Sequence, residues 1–455
     1  MSLPYGQLAA IRLGFGLSPL LTSPDTAAAV AASARQSGPD AHAVTMPIVR
    51  EMQVEVLRLA KLAREGGDQE EYRQYRQEMG RRHFHAVVER FVRALDAPSG
   101  FGERLVAFWA SHFAVRGGNP HTDLLSAALV DEAIRPHLTG RFAEMMIAAE
   151  THPAMLLYLD QVSSVGPNSI RARRRPDKGF GLNENLAREM IELHSLGVGA
   201  DYSQKDVEQL ARLLAGLTYN NKSPEIFLER NSEPGAEIIL GRAYGNDRDH
   251  GTLNDIHAAI TDLATHEATA RHIARKLAIH FISDDPPQSA INRLAGVFHD
   301  TGGDLAAVNL ALAEAPELDS CFRQKVRPPF EFLVTSLRGL GVTGDALRRM
   351  HRKDVRQSLL EPLGNMGQPW ARPKGPDGWP EAASDWATPQ GLAMRINWAM
   401  TQPSRLVDPL PDPRRVLADA LGDSASPALR WAVPKAESRR DGVALILASA
   451  DFNRR

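Results

Sequence analysis

Helical spacing of apolar residues is the feature of this 455-residue sequence that most restricts its fold. After Pro47, apolar side chains recur every three or four residues, at Val49, Met52, Val56 and Leu59. This is the period of one face of an α-helix. The same period returns along most of the chain between glycine and proline breaks, without a βαβ alternation or a glycine-rich phosphate loop. The sequence therefore predicts a mostly α protein.

The predicted elements follow from this period and its breaks. We expect helices over residues 48–63, 68–95, 102–113, 124–133, 141–151, 153–160, 183–196, 203–214, 255–263, 268–281, 288–298, 304–313, 329–339, 388–400, 413–420 and 442–452. The best strand candidate is Glu237–Leu240, which we expect to pair with Glu225–Leu228 in one minor, short β-hairpin. Residues 362–389 are rich in proline and glycine and are predicted to be irregular.

Composition excludes several classes of protein. Lys and Arg number 53 against 55 Asp and Glu, for a net charge of −2, whereas general nucleic-acid binders usually carry a basic excess. The single cysteine, Cys321, allows no intrachain disulfide. No uncharged apolar run approaches the roughly 20 residues of a membrane helix, and the N-terminal residues lack the basic start of a signal peptide. We expect no nucleic-acid partner, no membrane span and a cytoplasmic location, although export with a signal-bearing partner is compatible with these features.

The densest polar stretch lies in the helix predicted at 183–196. Asn183 suits the N-cap, and Glu184 then lies in the first turn, near the positive end of the helix dipole. Glu184, Arg188 and Glu192 are spaced four residues apart and are expected to stack as an ion-pair ladder.

Two interpretations of this polar face stay open. Asn185 and Glu189 lie beside the ladder, so the face is either solvated or the wall of a cleft. In a cleft, Glu189 and Glu192 are one turn apart and can bind one divalent cation or act as general acid and base. His194 falls among the apolar residues of a regular helix, so we assign no metal triad here. The candidate catalytic residues are Glu189, Glu192, Arg188 and His194, assisted by His112.

Two further segments offer candidate binding residues. A basic loop that includes Arg173 and Arg174 precedes the polar helix and can bind an anion or an acidic partner, although a solvated loop is the simpler interpretation. Trp370 and Trp379 lie in the irregular segment. They can form a platform for a sugar or a peptide, or they can pin a segment that covers the core.

Ordered sequence matches carry a family resemblance. The strings NENLARE (183–189), ELH (192–194) and LGV (196–198) look like the signature of a large bacterial family called domain of unknown function 1800. Further similar pieces include RLGFGLSP (12–19), FWASHFAV (108–115), LGNMGQPW (363–370) and LASADFNRR (447–455). The chain departs from the family pattern at NSEPGAEIILG (231–241), where a histidine is expected before the short strand.

The resemblance implies one compact, family-length helical unit over residues 1–455. It brings no established activity and no known cofactor, so whether the chain is an enzyme stays open. Members of this family are often encoded beside phosphatase- or sulfatase-like proteins, which implies an assembly or maturation partner of such a protein. The alternative is an enzyme, such as a hydrolase, that uses a Glu/Arg/His cleft around residues 184–194, with or without a divalent cation.

Overall fold

The structure is a computed structural model that describes residues 3–246 and 250–455. Helices dominate it, as predicted. The α-helices up to the hairpin are α1 (Tyr5–Arg12), α2 (Ala27–Ser33), α3 (Met46–Arg64), α4 (Gln69–Asp96), α5 (Phe101–His112), α6 (Pro120–Leu129), α7 (Phe142–Glu150), α8 (Pro153–Tyr158), α9 (Ile170–Arg174), α10 (Asn185–Glu189) and α11 (Gln204–Leu214).

The helices that follow the hairpin complete the fold. They are α12 (Leu253–Thr265), α13 (Glu267–Phe281), α14 (Gln288–Asp300), α15 (Leu305–Ala313), α16 (Glu317–Ser320), α17 (Pro329–Gly339), α18 (Gly344–Arg349), α19 (Arg352–Val355), α20 (Glu361–Asn365), α21 (Ala383–Trp386), α22 (Pro389–Thr401), α23 (Pro403–Leu406), α24 (Pro413–Leu421), α25 (Pro427–Ala432), α26 (Arg439–Ala448) and α27 (Ala450–Asn453). None of the described helices is long and apolar enough to cross a lipid bilayer.

Three π-helical turns interrupt or extend these helices, at Val130–Ile134, Met190–His194 and Arg356–Leu360. A π-helical turn holds one more residue than an α-helical turn, and it rotates the side chains that follow it relative to the regular register. The second of these turns lies in the polar helix that the sequence predicted as regular.

The described residues contain one antiparallel hairpin, between β1 (Gly235–Ile239) and β2 (Arg242–Asn246). The predicted pairing of this strand with Glu225–Leu228 is therefore wrong. Its partner follows directly, because Leu240 and Gly241 make a two-residue turn with φ of 48° and 79°. Positive φ at both positions matches the twist of a tight hairpin. Leucine rarely adopts positive φ, so the sequence did not indicate a turn at this position.

Buried apolar residues form two clusters. The first draws on helices from α1 to α16, and the second on the end of α4 and the helices from α17 onward. Helix α4 reaches both, with Met79 in the first and Phe91 in the second. That the whole chain forms a single unit stays a prediction. The two clusters share the long helix α4.

The irregular segment lies against the end of α5. Helix α20 extends to Asn365, so the segment without regular structure is shorter than predicted, and we call residues 366–382 the strap. The Trp379 amide donates to Ser111 Oγ at 2.9 Å. Gly378, with φ of 84°, lies so close that an added Cβ would be 2.1 Å from the Ser111 carbonyl oxygen. The strap is therefore packed onto the fold rather than extended into solvent.

Candidate functional site

Asn183 caps the start of the polar helix, as the sequence predicts, although the helix itself begins later than residue 183. Helix α10 begins at Asn185, and the Asn183 side chain accepts a hydrogen bond from the Asn185 amide at 2.8 Å. Asn183 therefore satisfies a free amide at this helix end, the usual work of a capping residue. Its own Nδ2 donates to the Asp160 carbonyl oxygen at 3.3 Å, which ties the entry of the helix to α8 and the turn after it.

The predicted ladder forms on the surface. Arg188 lies 3.2 Å from Glu184 and 3.4 Å from Glu192, and about two fifths of each side chain in the first pair is exposed (39% and 37%). Gln204 of α11 closes the arrangement by donating to Glu184 at 3.0 Å. Exposed ion pairs of this kind contribute only about 0.2–1 kcal/mol. The Arg188 guanidinium is occupied by neighbouring side chains, which matches the solvated-face interpretation for this part of the helix.

Glu189 differs from the two ladder glutamates because the ladder does not pair it. Its side chain is half-buried, and the loss of water raises its pKa above the usual value. The positive charge that His194 carries when protonated is the main opposing influence, whereas Glu192 adds to the rise. A carboxyl group with a raised pKa holds its proton closer to neutral pH, which suits general acid catalysis.

The π-helical turn at Met190–His194 changes where His194 points. We expected this histidine among the apolar side chains of a regular helix, away from the glutamates of the polar face. Instead, His194 Nδ1 lies 2.7 Å from Glu150 Oε1 at the end of α7, and neither side chain is exposed. The carboxylate accepts the Nδ1 proton, so Nε2 is left to accept a proton. His194 Nε2 and Glu150 Oε2 are buried without a hydrogen-bond partner among the described residues.

His112 joins the same buried region from α5. Its Nε2–H donates to the His194 carbonyl oxygen at 3.3 Å, and its Nδ1 accepts from Lys276 Nζ at 2.9 Å. These two contacts assign the neutral tautomer with the proton on Nε2. Burial and the nearby Lys276 charge hold the pKa of His112 well below its usual value.

Helix α13 supplies two residues that the sequence analysis did not single out. His272 Nε2–H donates to the Leu193 carbonyl oxygen at 3.1 Å, and burial lowers the pKa of His272 to about 4. Burial also lowers the pKa of Lys276 to about 8, against the opposing charges of Glu381 and Asp377 on the strap. The spacing of four residues between His272, Lys276 and His280 is visible in the sequence, and it predicts that the three side chains share one face of α13. We refer to Glu150, His112, His194, His272 and Lys276 as the histidine network.

The network and the polar face do not form a metal centre in this geometry. Among residues 3–246 and 250–455, no group of three or more His, Cys, Asp or Glu side chains is arranged to hold a metal ion. Glu189 and Glu192, predicted as possible ligands of one cation, are not brought together with a third ligand. The network instead brings acidic and basic side chains into hydrogen-bond contact, as in the His194–Glu150 and Lys276–His112 pairs.

The basic loop is solvent-exposed, and no ion pair within 4.0 Å involves Arg173 or Arg174 among the described residues. Both lie in the last turn of the short helix α9, and Arg171 packs its guanidinium 4.6 Å from the centre of the Phe180 ring. The two arginines are available to an anionic surface, but the structure does not place them in the histidine network.

Residues 370–398 contain four tryptophans, which divide into two pairs. Trp386 and Trp398 are buried, and each indole donates to a backbone carbonyl, so they pin the fold. Trp370 and Trp379 are partly buried and line a cavity of about 160 Å³ beneath the strap. The cavity lies between the strap and helices α4, α5 and α6, with Ser111 in its wall one residue before His112.

These observations define a mostly helical protein with a buried acid–base network and a strap-covered cavity. The family described as a protein of unknown function, DUF1800, matches residues 8–454, and the chain belongs to this family. No curated protein matches the chain, and no solved structure does.

Proposed function

We propose that this protein is an enzyme of acid–base type, and that hydrolysis is its reaction class. Glu189 is the group that exchanges a proton with the substrate, and His194 is the buried partner that polarises the site. The observation that carries this proposal is the π-helical turn that aims His194 at Glu150. Such turns are rare and recur at functional sites.

The chemistry follows from how Glu150 holds the imidazole. A carboxylate on Nδ1 fixes both the tautomer and the ring orientation, and it stabilises the imidazolium form when a proton arrives at Nε2. Two buried atoms of this pair lack hydrogen-bond partners, and a catalytic role is one physical reason for leaving a buried polar group unsatisfied. Glu189 is the accessible member, because His194 and His112 are almost fully buried.

The experiment is a hydrolysis screen of the purified chain on carboxylic, phosphate and sulfate esters. Glu189→Gln should lower the rate by about 10²–10⁴-fold for any ester that the wild type cleaves. Glu184→Gln is the matched control, since it changes a carboxyl of the surface ladder on the same helix, and it should stay within about twofold. Equal rates for wild type and Glu189→Gln would refute the assignment, as would a folded protein that cleaves no ester class.

A second candidate function is assembly with, or maturation of, a phosphatase- or sulfatase-like protein encoded nearby. The supporting observation is the exposed basic loop, whose Arg173 and Arg174 form no ion pair with the described residues. An uncompensated positive surface favours an acidic partner and speeds association. The cytoplasmic location predicted from the sequence stays a prediction for either function.

Copurification tests the partner. The chain should be retained by the tagged neighbour at about 50 mM salt and released at higher salt, because exposed charges are screened. The double charge reversal Arg173→Glu, Arg174→Glu should abolish retention, whereas Arg414→Glu, which changes an exposed arginine on α24, should not. Retention that the double variant leaves unchanged removes the basic loop from the interface, and no retention at low salt removes the partnership.

A further inference from the structure

The cavity beneath the strap has walls that are mostly apolar and aromatic. Phe113, Phe330, Trp370 and Trp379 contribute rings to it, and alanines of α5 and α6 leave the space open. Its volume of about 160 Å³ is close to that of an engineered protein cavity of about 150 Å³ that binds benzene. A single ring with a short substituent therefore fits its size.

The acidic residues of this cavity are already neutralised by arginines. Asp123 lies 2.6 Å from Arg372, and Glu89 lies 2.8 Å from Arg348. Asp131 accepts from Arg135 at 3.0 Å. These carboxylates are therefore bound by cations from outside the cavity wall and offer little negative charge to a ligand.

Arg90 lines the same cavity without such a partner. Its guanidinium makes no ion pair within 4.0 Å with the described residues, and its Nε is buried without a hydrogen bond. Burial lowers the pKa of Arg90 to about 10, so the side chain still carries its charge at neutral pH. Glu103 and Asp131 act on the Arg90 charge only from beyond ion-pair distance, and an anionic ligand in contact with the guanidinium would neutralise it directly.

His83 supplies a second unsatisfied group. Its Nε2 is buried without a hydrogen-bond partner, and its Nδ1 lies 3.8 Å from Asp123. Burial lowers the pKa of His83, so a neutral imidazole faces the cavity at neutral pH. Arg90 and His83 lie on α4, seven residues or about two turns apart, and so share one face of the helix.

We propose that this cavity binds a small aromatic carboxylate, with its ring against the Trp370 and Phe113 side chains and its carboxylate on Arg90. The site is independent of the acid–base function, because none of its residues belongs to the histidine network. Arg90 holds the acid group as a charged donor pair, and the rings supply the apolar contact. His83 offers one hydrogen bond to a second polar atom of the ligand.

Calorimetric titration of the full chain tests the proposal with three probes that share one ring: benzoate, benzamide and benzylamine. Benzoate should bind saturably and at least tenfold more tightly than benzamide, and benzylamine should not bind. Acetate should bind at least tenfold more weakly than benzoate, because it lacks the ring. Absence of saturable benzoate binding, or equal affinity for benzoate and benzamide, overturns the proposal.

Two substitutions at one position locate the carboxylate. Arg90→Gln should remove the preference for benzoate over benzamide, and Arg81→Gln, on the exposed face of α4, is the matched control that should keep it. Arg90→Met is the second variant in case glutamine impairs folding, since a methionine of similar length packs on apolar walls. A folded Arg90 variant that retains the full benzoate preference overturns the assignment of Arg90.

Discussion

Replacing Glu331 by glutamine tests how a buried carboxylate contributes to the contact between the two hydrophobic clusters. Glu331 lies on α17, and its side chain is 6% exposed. It binds Arg455 at 2.8 Å and Arg104 of α5 at 3.2 Å, and neither guanidinium is exposed. Glutamine keeps the shape but removes the charge, so two buried arginines lose their carboxylate.

The magnitude follows from the pKa of Glu331. Burial alone would raise it, but the charges of Arg104 and Arg455 outweigh burial and lower it from 4.5 to about 2. A shift of this size corresponds to about 3 kcal/mol of stability at pH 7. For 455 residues the entropy of unfolding is about 1 kcal/mol per degree. We therefore expect Tm to fall by about 3–4 °C in Glu331→Gln.

The pH dependence has a definite sign. Because the folded pKa lies below the unfolded one, the stabilisation is fully present above pH 4.5 and is lost as the pH falls toward 2. The difference between wild type and Glu331→Gln should fall to about 2 kcal/mol at pH 3.5.

Differential scanning calorimetry at pH 7 and pH 3.5 measures both quantities. Glu267→Gln is the matched control, because Glu267 pairs with Arg271 on the surface and should cost under about 0.5 kcal/mol. The reasoning is refuted if Glu331→Gln lowers Tm no more than this control, or if its effect grows as the pH falls.

Three further substitutions follow from the same physical arguments. Glu189→Gln should raise the free energy of unfolding at pH 7, because a raised carboxyl pKa means that ionisation of Glu189 destabilises the folded state. This gain in stability should vanish by pH 4. A loss of stability at pH 7, measured by urea unfolding, would contradict the prediction. The Lys276→Met variant should become less stable relative to wild type as the pH rises from about 8 to 10.5, because the folded wild type favours the neutral amine over that range. Urea unfolding at pH 7 and pH 10 measures this difference in the free energy of unfolding. Gly378→Ala should loosen the strap and shift tryptophan fluorescence to longer wavelength, because its Cβ would lie 2.1 Å from the Ser111 carbonyl oxygen. Gly367→Ala is its control, with φ of 98° but no atom within 4 Å of the new Cβ, and an equal shift in both variants would refute the close-contact explanation.

Local sequence pattern predicts the helices well because the period of apolar residues reflects which face is buried. Helix α4 illustrates this: its charged first half is exposed and its apolar second half, around Phe91, is buried, as the sequence indicated. The hairpin partner was misassigned because Leu240 adopts a positive φ that sequence statistics reserve mainly for glycine.

Only part of the candidate site could be predicted from the sequence, and the π-helical turn explains why. The ladder around Arg188 depends on spacing within one helix, which the sequence shows directly. The contact of His194 with Glu150 joins residues 44 positions apart, and it depends on a register change that no local motif signals. Lys276 is a different case, because its four-residue spacing from His272 and His280 places all three on one face of α13 and is visible in the sequence.

The strap links the two regions that carry the proposals. Trp379 lines the cavity and binds Ser111, and the next residue of α5, His112, belongs to the histidine network. Two strap carboxylates, Glu381 and Asp377, raise the pKa of Lys276 against the effect of burial. The charges of the strap therefore oppose the effect of burial on the Lys276 amine. The proline- and glycine-rich segment therefore helps to set both the shape of the cavity and the charge of the network beside it.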